Sequence, residues 1–299
     1  MVAPRLVVPV TSHGEVTMLS SASNLPLVSV VMATCQKDDP TFLRNAITSV
    51  LAQTYKNIEL VIVADGPLTK EAETYLSSLD GGRVTMIALE TNGGPAKARN
   101  IGIREARGDY IAIMDADDVC APDRIERQLH FLTDTRSDLV GSSYVEIDAA
   151  DEVVGEKSMP RTCEAIRKSS PFFNPINNPT VFARAHVLKR NHYPEDFRLG
   201  EDYRLWIRLL RAGYVLRNHE ANLLNFRRGE EFFRKRRGLG WAISDVRNKL
   251  SAIGLVSWYI RPAALTFALI TFLLRLLPAR TNRLMYRARH RLLAAAKGG

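Results

Sequence analysis

The sequence predicts an α/β fold with a parallel sheet at its centre. The first observation is periodicity: strand-like and helix-like segments alternate four times over roughly 100 residues, the pattern of right-handed strand–helix–strand units. The second is the apolar run Tyr110–Met114, which ends abruptly in Asp115, Asp117 and Asp118. Strands of such sheets open at their C-terminal ends into the crevice where ligands bind. The third is charge. Residues 227–299 hold 16 Lys and Arg against 3 Asp and Glu while the whole chain is +9, so the remainder is net acidic. The basic character therefore belongs to a C-terminal segment. A chain of 299 residues suffices for one large domain with an appendage.

The elements follow in order. Residues 27–34 are a β-branched run that reads as the first strand. Asp38, Asp39 and Pro40 start a helix whose apolar face includes Phe42, Ile47, Val50 and Leu51, and Asp38 reads as its cap in preference to a ligand contact. Residues 58–64 form a second strand ending at Asp65-Gly66-Pro67, 69–79 a helix, and 84–89 a third strand. Asn92-Gly93-Gly94-Pro95 is a turn that leads into a helix over 96–106, and the strand 110–114 follows. Pro122–Leu132 reads as a helix and 138–147 as a strand, with Val153-Val154 placed to pair with it. Residues 158–182, richer in Pro and Asn, read as a cleft-lining loop. Short helix 184–190, helix 201–212 closed by Gly213, and extended chain over 214–226 complete the domain. No internal repeat stands out.

Residues 1–25 read as a loosely ordered extension without the apolar core or cleavage site of a signal peptide. Cys35, Cys120 and Cys163 are far apart and odd in number, with no disulfide or metal spacing, which fits a reducing compartment. The α/β part, 26–226, is thus expected in the cytosol.

Several carboxylates at one strand end repel each other unless a cation lies between them. Oxygen-only ligands suit Mg²⁺ or Mn²⁺, which keep positions open for substrate phosphates. The competing reading is an acidic loop capping the next helix at Pro122-Asp123. Gly93-Gly94 permits close backbone approach, and the following helix start offers free N–H groups to an anion. Glu201-Asp202 at a helix N-terminus is electrostatically favoured there whatever its role.

Five stretches in order, Val-Ser-Val-Val-Met-Ala-Thr (28–34), Val-Ala-Asp-Gly (63–66), Asn-Gly-Gly-Pro-Ala-Lys-Ala-Arg-Asn-Ile-Gly-Ile (92–103), Gly-Asp-Tyr-Ile-Ala-Ile-Met-Asp-Ala-Asp-Asp (108–118) and Gly-Glu-Asp-Tyr-Arg-Leu-Trp (200–206), resemble the family 2 glycosyltransferases with the GT-A fold. Any one is weak; five with sensible spacing are specific. The resemblance covers about residues 26–226 and implies a Rossmann-like mixed sheet with inverting, metal-dependent transfer from a nucleotide sugar, UDP favoured. It further implies that Asp65 accepts hydrogen bonds from the base, that Ala33 and Thr34 pass along base and ribose, and that Gly94 and Arg99 serve the base or diphosphate. Asp117 is implied as the direct metal ligand, with Asp115 contacting the ribose or the metal, and Asp118 behind them or capping the next helix. Asp202 is implied as general base, with Glu201 its rival. Cys35-Gln36 stands where the family often has Tyr-Asn, which removes an expected ring contact. Asn177, Asn178, Pro179 and Thr180 border either the acceptor cleft or a plain loop; Trp206 reads as core; His219 is a remote candidate near the metal. The Q-x-x-R-W signature of processive synthases is absent from the sequence, so one sugar per binding event is expected.

The C-terminal segment, 227–299, pairs Arg234-Lys235-Arg236-Arg237 with an apolar region, Leu250–Leu274, interrupted at Arg261-Pro262 and followed by five further arginines between 280 and 291. A bilayer span needs about 20 apolar residues. The uninterrupted piece is shorter, and basic flanks with Trp258, Tyr259 and Phe267 suit a helix or broken helical pair at an anionic cytoplasmic leaflet. The alternative is a helical subdomain packed on the catalytic part, or a dimer contact. Membrane attachment would suit a polyprenyl-linked glycan acceptor at the inner face of the plasma membrane. Two rivals are carried: a nucleotidyltransferase of similar fold, in which Glu201-Asp202 has no task, and a non-catalytic nucleic-acid binder using the tail. Nucleic acid is not an expected partner under the favoured reading.

Overall fold

The structure is a computed structural model that describes residues 25–79, 81–197, 199–228 and 238–276. The N-terminal extension and the basic runs at 234–237 and beyond 276 lie outside the described residues. Among the described residues nine strands form one mixed sheet: β1 (Val28–Thr34), β2 (Ile58–Ala64), β3 (Val84–Ala88), β4 (Tyr110–Asp115), β5 (Val119–Cys120), β6 (Leu139–Ile147), β7 (Val153–Lys157), β8 (Phe182–Arg184) and β9 (Leu216–Arg227). Their order is β3-β2-β1-β4-β8-β6-β9-β5, with β7 on β6. The block β3-β2-β1-β4 is parallel, as the alternation demands, whereas β8 runs antiparallel to both β4 and β6, and β9 parallel to β6. This is the mixed sheet that the resemblance implies.

Side-chain alternation along the strands builds a core on each face. Val30 and Met32 of β1 and Leu60 and Ile62 of β2 face α1 (Pro40–Leu51), α2 (Lys70–Ser77) and α4 (Arg124–Asp134), through Leu43, Ile47, Leu76 and Leu132. Val31, Val61, Ile111 and Ile113 face α3 (Pro95–Glu105), α6 (Ala185–Arg190) and α7 (Glu201–Arg211), through Ile103, Leu188, Leu205 and Trp206. Burying one Leu- or Ile-sized side chain contributes about 1.5–3 kcal/mol, so each face is a substantial share of stability. Trp206 is fully buried, as expected for a core residue.

Local chemistry moves some boundaries. The cap of α1 is Asp39, whose carboxylate accepts from the Thr41 and Phe42 N–H groups; Asp38 turns back toward β1 instead. α4 begins at Arg124, because Ala121–Arg124 closes as a turn first. The stretch 158–182 is more regular than its composition suggests: Thr162 caps α5 (Cys163–Ser169) through the Ala165 N–H, and Asn178–Thr180 forms a 3-10 turn before β8. Arg227, at which the charge pattern starts the tail, is the last residue of β9.

The segment behind the domain folds as a broken helical pair, α8 (Leu239–Ala252) and α9 (Arg261–Leu276). The break spans 253–260 with two 3-10 turns, and α9 starts at Arg261-Pro262, where Pro fits the first helical turn. Asp245 of α8 pairs with Lys249 one turn along the same helix (2.7 Å) and across to Arg275 of α9 (3.1 Å). α8 packs on α7 around Tyr203, Ile207 and Ala252. Leu265, Leu269 and Leu273 form an exposed stripe on α9.

Candidate active site

The strand register brings the strand-end residues together, whereas Gly94, Glu201 and Asp202 do not line the same cavity. Ala33 is paired with Asp115, and Thr34 with Ala64, the residue before Asp65. The C-terminal ends of β1, β2 and β4 therefore open side by side into a cavity of about 650 Å³ lined by Ala33, Thr34, Asp65, Arg99, Asp115 and Asp117 among others. Cys35, Gln36, Lys37 and Asp38 complete the β1 side.

Asp65 is buried and holds the glycine turn. Its two carboxylate oxygens accept the Gly93 N–H at 2.7 Å and the Gly94 N–H at 2.9 Å. A carboxylate has about four lone-pair sites, so acceptor capacity toward the cavity remains. Gly94 adopts φ +91 as the residue before α3, a conformation costly to a side-chain-bearing residue. Asp38 accepts from the Thr34 hydroxyl (3.1 Å) and the Cys35 N–H (2.8 Å). Burial first, and the charge of Asp115 among the other causes, raise its carboxyl above the ordinary range. Asp38 is thus a wall of the cleft and not a cap.

Arg99 joins the two halves of the site. Its guanidinium donates to Asp115 Oδ1 and to Glu201 Oε1, both at 2.9 Å, and lies against the Tyr193 ring at 5.7 Å. Burial works against its charge, but Asp115 and Glu201 more than offset this and hold it protonated. The Asn178 carboxamide fits the same group. With its oxygen toward the guanidinium it accepts from Nε at 3.2 Å, while its NH₂ donates to the Tyr193 hydroxyl at 2.7 Å. Burial raises the Tyr193 hydroxyl far above its usual pKa; Arg99 opposes this, and Asp202, Asp115 and Glu201 add to it. One hydroxyl therefore feels all three carboxylates.

Glu201 and Asp202 open α7 after Gly200, which is left-handed at φ +73. Glu201 is committed to Arg99, whereas Asp202 Oδ2 accepts from Asn174 Nδ2 at 2.7 Å. Asn100 secures the facing loop by bonding the Tyr193 backbone and Glu195.

The acidic turn after β4 is crowded. Asp117 reaches solvent within the cleft, but the loss of water to the surrounding walls, then the charges of Asp115 and Asp38, push its carboxyl up to about 7. Asp118 is fully buried: Oδ1 accepts the Arg227 N–H at 2.7 Å, and Oδ2 has no partner among the described residues. Burial, then Asp117 and Asp115, raise it well above the ordinary carboxylate range. It does not cap α4. The Arg227 side chain ties the turn down through Asp117 O (2.8 Å), Asp148 O (2.7 Å) and Asp151 (2.6 Å).

This crowding tests whether the residues fit a divalent cation. Among the described residues no three acidic, His or Cys side chains converge as a complete cage. A pair of carboxylates, Asp115 and Asp117, in an over-acidic cleft is nonetheless the donor set that Mg²⁺ or Mn²⁺ takes when substrate phosphates complete the shell. The residues fit. His219 does not belong to the site: it packs on Phe131, and its Nδ1 accepts the Ala221 N–H. Asn174, Tyr193 and Arg227 join the surroundings of the cleft without a signal in the sequence, whereas Asp38, expected as a cap, lines it. The cap expected at Asp38 falls one residue later, at Asp39.

A parallel strand block whose ends converge on an acidic cleft, extended by the mixed strands β8, β6 and β9 and with a second acidic pair at the start of α7, is the arrangement of a GT-A fold. Chain comparisons agree. The structure superposes on Staphylococcus aureus TarS 1–349 in complex with UDP with a TM-score of 0.57 at 19% identity, over 81% of this chain and 70% of that one. The TarS complex with UDP-GlcNAc gives 0.56 at 17%, over 86% and 83%. The model of glycosyl transferase family 2 matches residues 29–192, and the chain belongs to that family. The amylovoran biosynthesis glycosyltransferase AmsE of Erwinia amylovora is 28% identical over 87% of this chain and 98% of its own. The UDP-Gal:alpha-D-GlcNAc-diphosphoundecaprenol beta-1,3-galactosyltransferase of Escherichia coli is 30% identical over 76% of this chain and 83% of its own. The protein is a glycosyltransferase of glycan biosynthesis.

Proposed function

We propose that the protein transfers one sugar, with inversion, from a nucleotide sugar, UDP-linked by preference, to a hydroxyl of a glycan or polyprenyl-linked saccharide. The observation that carries this reading is the Arg99 bridge, which couples Asp115 in the cleft to Glu201 beside Asp202. The relative named for a UDP-galactose donor and a diphosphoundecaprenol acceptor, and the fold neighbour bound to UDP-GlcNAc, support the substrate classes.

In this reading Asp65 and Thr34 orient the nucleoside, and the Gly93-Gly94 turn and Arg99 face the diphosphate. Asp117, with Asp115, would hold Mn²⁺ or Mg²⁺, which supplies charge neutralisation for the departing nucleoside diphosphate. Asp202 takes the proton of the acceptor hydroxyl as its oxygen attacks the anomeric carbon. The carbon–oxygen bond to phosphate breaks, and its electron pair leaves with the diphosphate. Asp202 is preferred to Glu201 because Glu201 Oε1 is already engaged by Arg99, whereas Asp202 is oriented by a neutral amide, Asn174. A nucleotidyltransferase would leave this second acidic pair without a task.

Attachment to the cytoplasmic face of the plasma membrane is part of the same reading. Trp258–Leu276 is long and apolar enough to cross a membrane, with mean hydropathy 1.4, and Trp258 and Tyr259 are exposed at its start. A polyprenyl-linked acceptor presents its sugar at that surface. The test uses the purified protein with Mn²⁺, a panel of UDP-sugars and lipid-linked acceptors. Asp202→Asn should abolish transfer while UDP affinity stays within about twofold; full transfer by this variant would remove Asp202 as base.

A further inference from the structure

The helical pair α8–α9 does more than lie behind the domain. Its side chains reach the short loop from which Glu201 and Asp202 project. Asn248 of α8, 1% exposed, donates from Nδ2 to the Gly200 carbonyl at 3.0 Å, and the Ser244 hydroxyl donates to the Leu199 carbonyl. Gly200 is the left-handed residue that sets the start of α7, and a Cβ there would lie 3.0 Å from Asn248 Nδ2. The loop carrying Asn174, the amide partner of Asp202, is reached from the same side: Phe172 meets Phe267 of α9 edge to face at 5.5 Å. Tyr203, next to Asp202, donates its hydroxyl to Ser170 O of that loop.

Resting on the assignment of Asp202 as base, we propose that Asn248, assisted by Ser244, is a positioning residue of the active site: α8 fixes the Gly200 turn and so the direction in which Asp202 meets the acceptor hydroxyl. The base is thereby held from the C-terminal helical pair. Neither residue touches the nucleotide cleft, so the effect falls on turnover and not on donor binding. A small misdirection of a reacting group costs on the order of 100-fold in rate.

The experiment compares full-length wild type, Asn248→Ala, Ser244→Ala, Asn248→Gln and Asp202→Asn. The readouts are UDP affinity, hydrogen exchange of the peptide spanning 199–206, and UDP release from UDP-GlcNAc and UDP-galactose against pH. Asn248→Ala should speed exchange at 199–203, leave UDP affinity and KM for the sugar nucleotide within about twofold, and lower kcat by roughly 10- to 100-fold. Asn248→Gln, which keeps the amide donor, should recover part of kcat. Unchanged exchange overturns the proposal, and so does faster exchange with unchanged kcat. Equal loss of UDP affinity and kcat would also overturn it, by showing a general structural role. Should Asn248→Ala fail to fold, Ser244→Ala carries the same three criteria. Asp202→Asn separates the two claims: if it keeps full turnover, the base assignment fails, whereas a dead Asp202→Asn beside a fully active Asn248→Ala defeats the positioning role alone.

Discussion

Replacing Arg227 with Ala removes the clamp on the acidic turn. Its side chain is 3% exposed and donates at 2.8 Å to Asp117 O and at 2.7 Å to Asp148 O, and it lies 4.0 Å over the Phe42 ring. Hydrogen bonds from a charged donor contribute about 1.5–3 kcal/mol each, and a partly desolvated cation–π contact about 0.5–2 kcal/mol. The ion pair to Asp151 adds little, because that carboxylate is 57% exposed. Allowing for non-additivity, the loss should be about 3–5 kcal/mol, or roughly 6–20 °C in Tm for a domain of this size. Urea unfolding with unchanged m-value measures it. A second consequence follows from charge: Arg227 helps to lower the Asp117 carboxyl, so its removal should raise that group further and weaken Mn²⁺ binding at pH 7. Arg227→Lys keeps the charge without the fork of donors and should fall between. A stability loss below about 1 kcal/mol, with Mn²⁺ affinity unchanged, would refute the clamp.

Three other perturbations test neighbouring parts. In EDTA, the folded protein holds the Asp117 proton up to about pH 7 while the unfolded chain releases it near the ordinary carboxylate value, so this group's contribution to stability is greatest in acid and is lost as pH rises to 7. Asp117→Asn should flatten that part of the pH–stability curve, and Mn²⁺ should raise wild-type but not variant Tm at pH 8; equal curves would contradict the site. Arg99→Met leaves Asp115 and Glu201 facing each other without their shared cation and should cost about 3–5 kcal/mol, with UDP affinity falling as well; chemical denaturation and calorimetry read both. Replacing Leu265, Leu269 and Leu273 together by Asn should reduce pelleting with anionic vesicles several-fold without lowering Tm, because all three are exposed on α9. Retained pelleting would locate any membrane contact elsewhere.

Much of the domain was legible in the chain. Strands β1, β2, β3 and β4 fell within a residue or so of their expected ends, since buried parallel strands are continuous apolar runs bounded by turn residues. The strand ends also marked Asp65, Asp115 and Asp117, because a carboxylate that ends such a run opens into the crevice. What resisted reading was the stretch 158–182 and the partner of each acid. Composition pointed to a loop there; Thr162 and the Asn178 turn gave it order through single hydrogen bonds that composition does not encode.

By itself, the sequence determined the parallel block, the acidic strand end and the separation of a basic C-terminal segment, because these depend on local periodicity and charge. The tertiary structure decided which groups meet. Arg99 bridges to Glu201 across 102 residues, Arg227 closes on Asp117 across 110, and Asn248 reaches Gly200 across 48. Such contacts arise from sheet order and from helices stacking on a shared core, so no spacing along the chain announces them. The same physics gave Asp38 to the cleft and Asp39 to the helix: two adjacent carboxylates point apart, and only the packed backbone fixes which one faces Asp115.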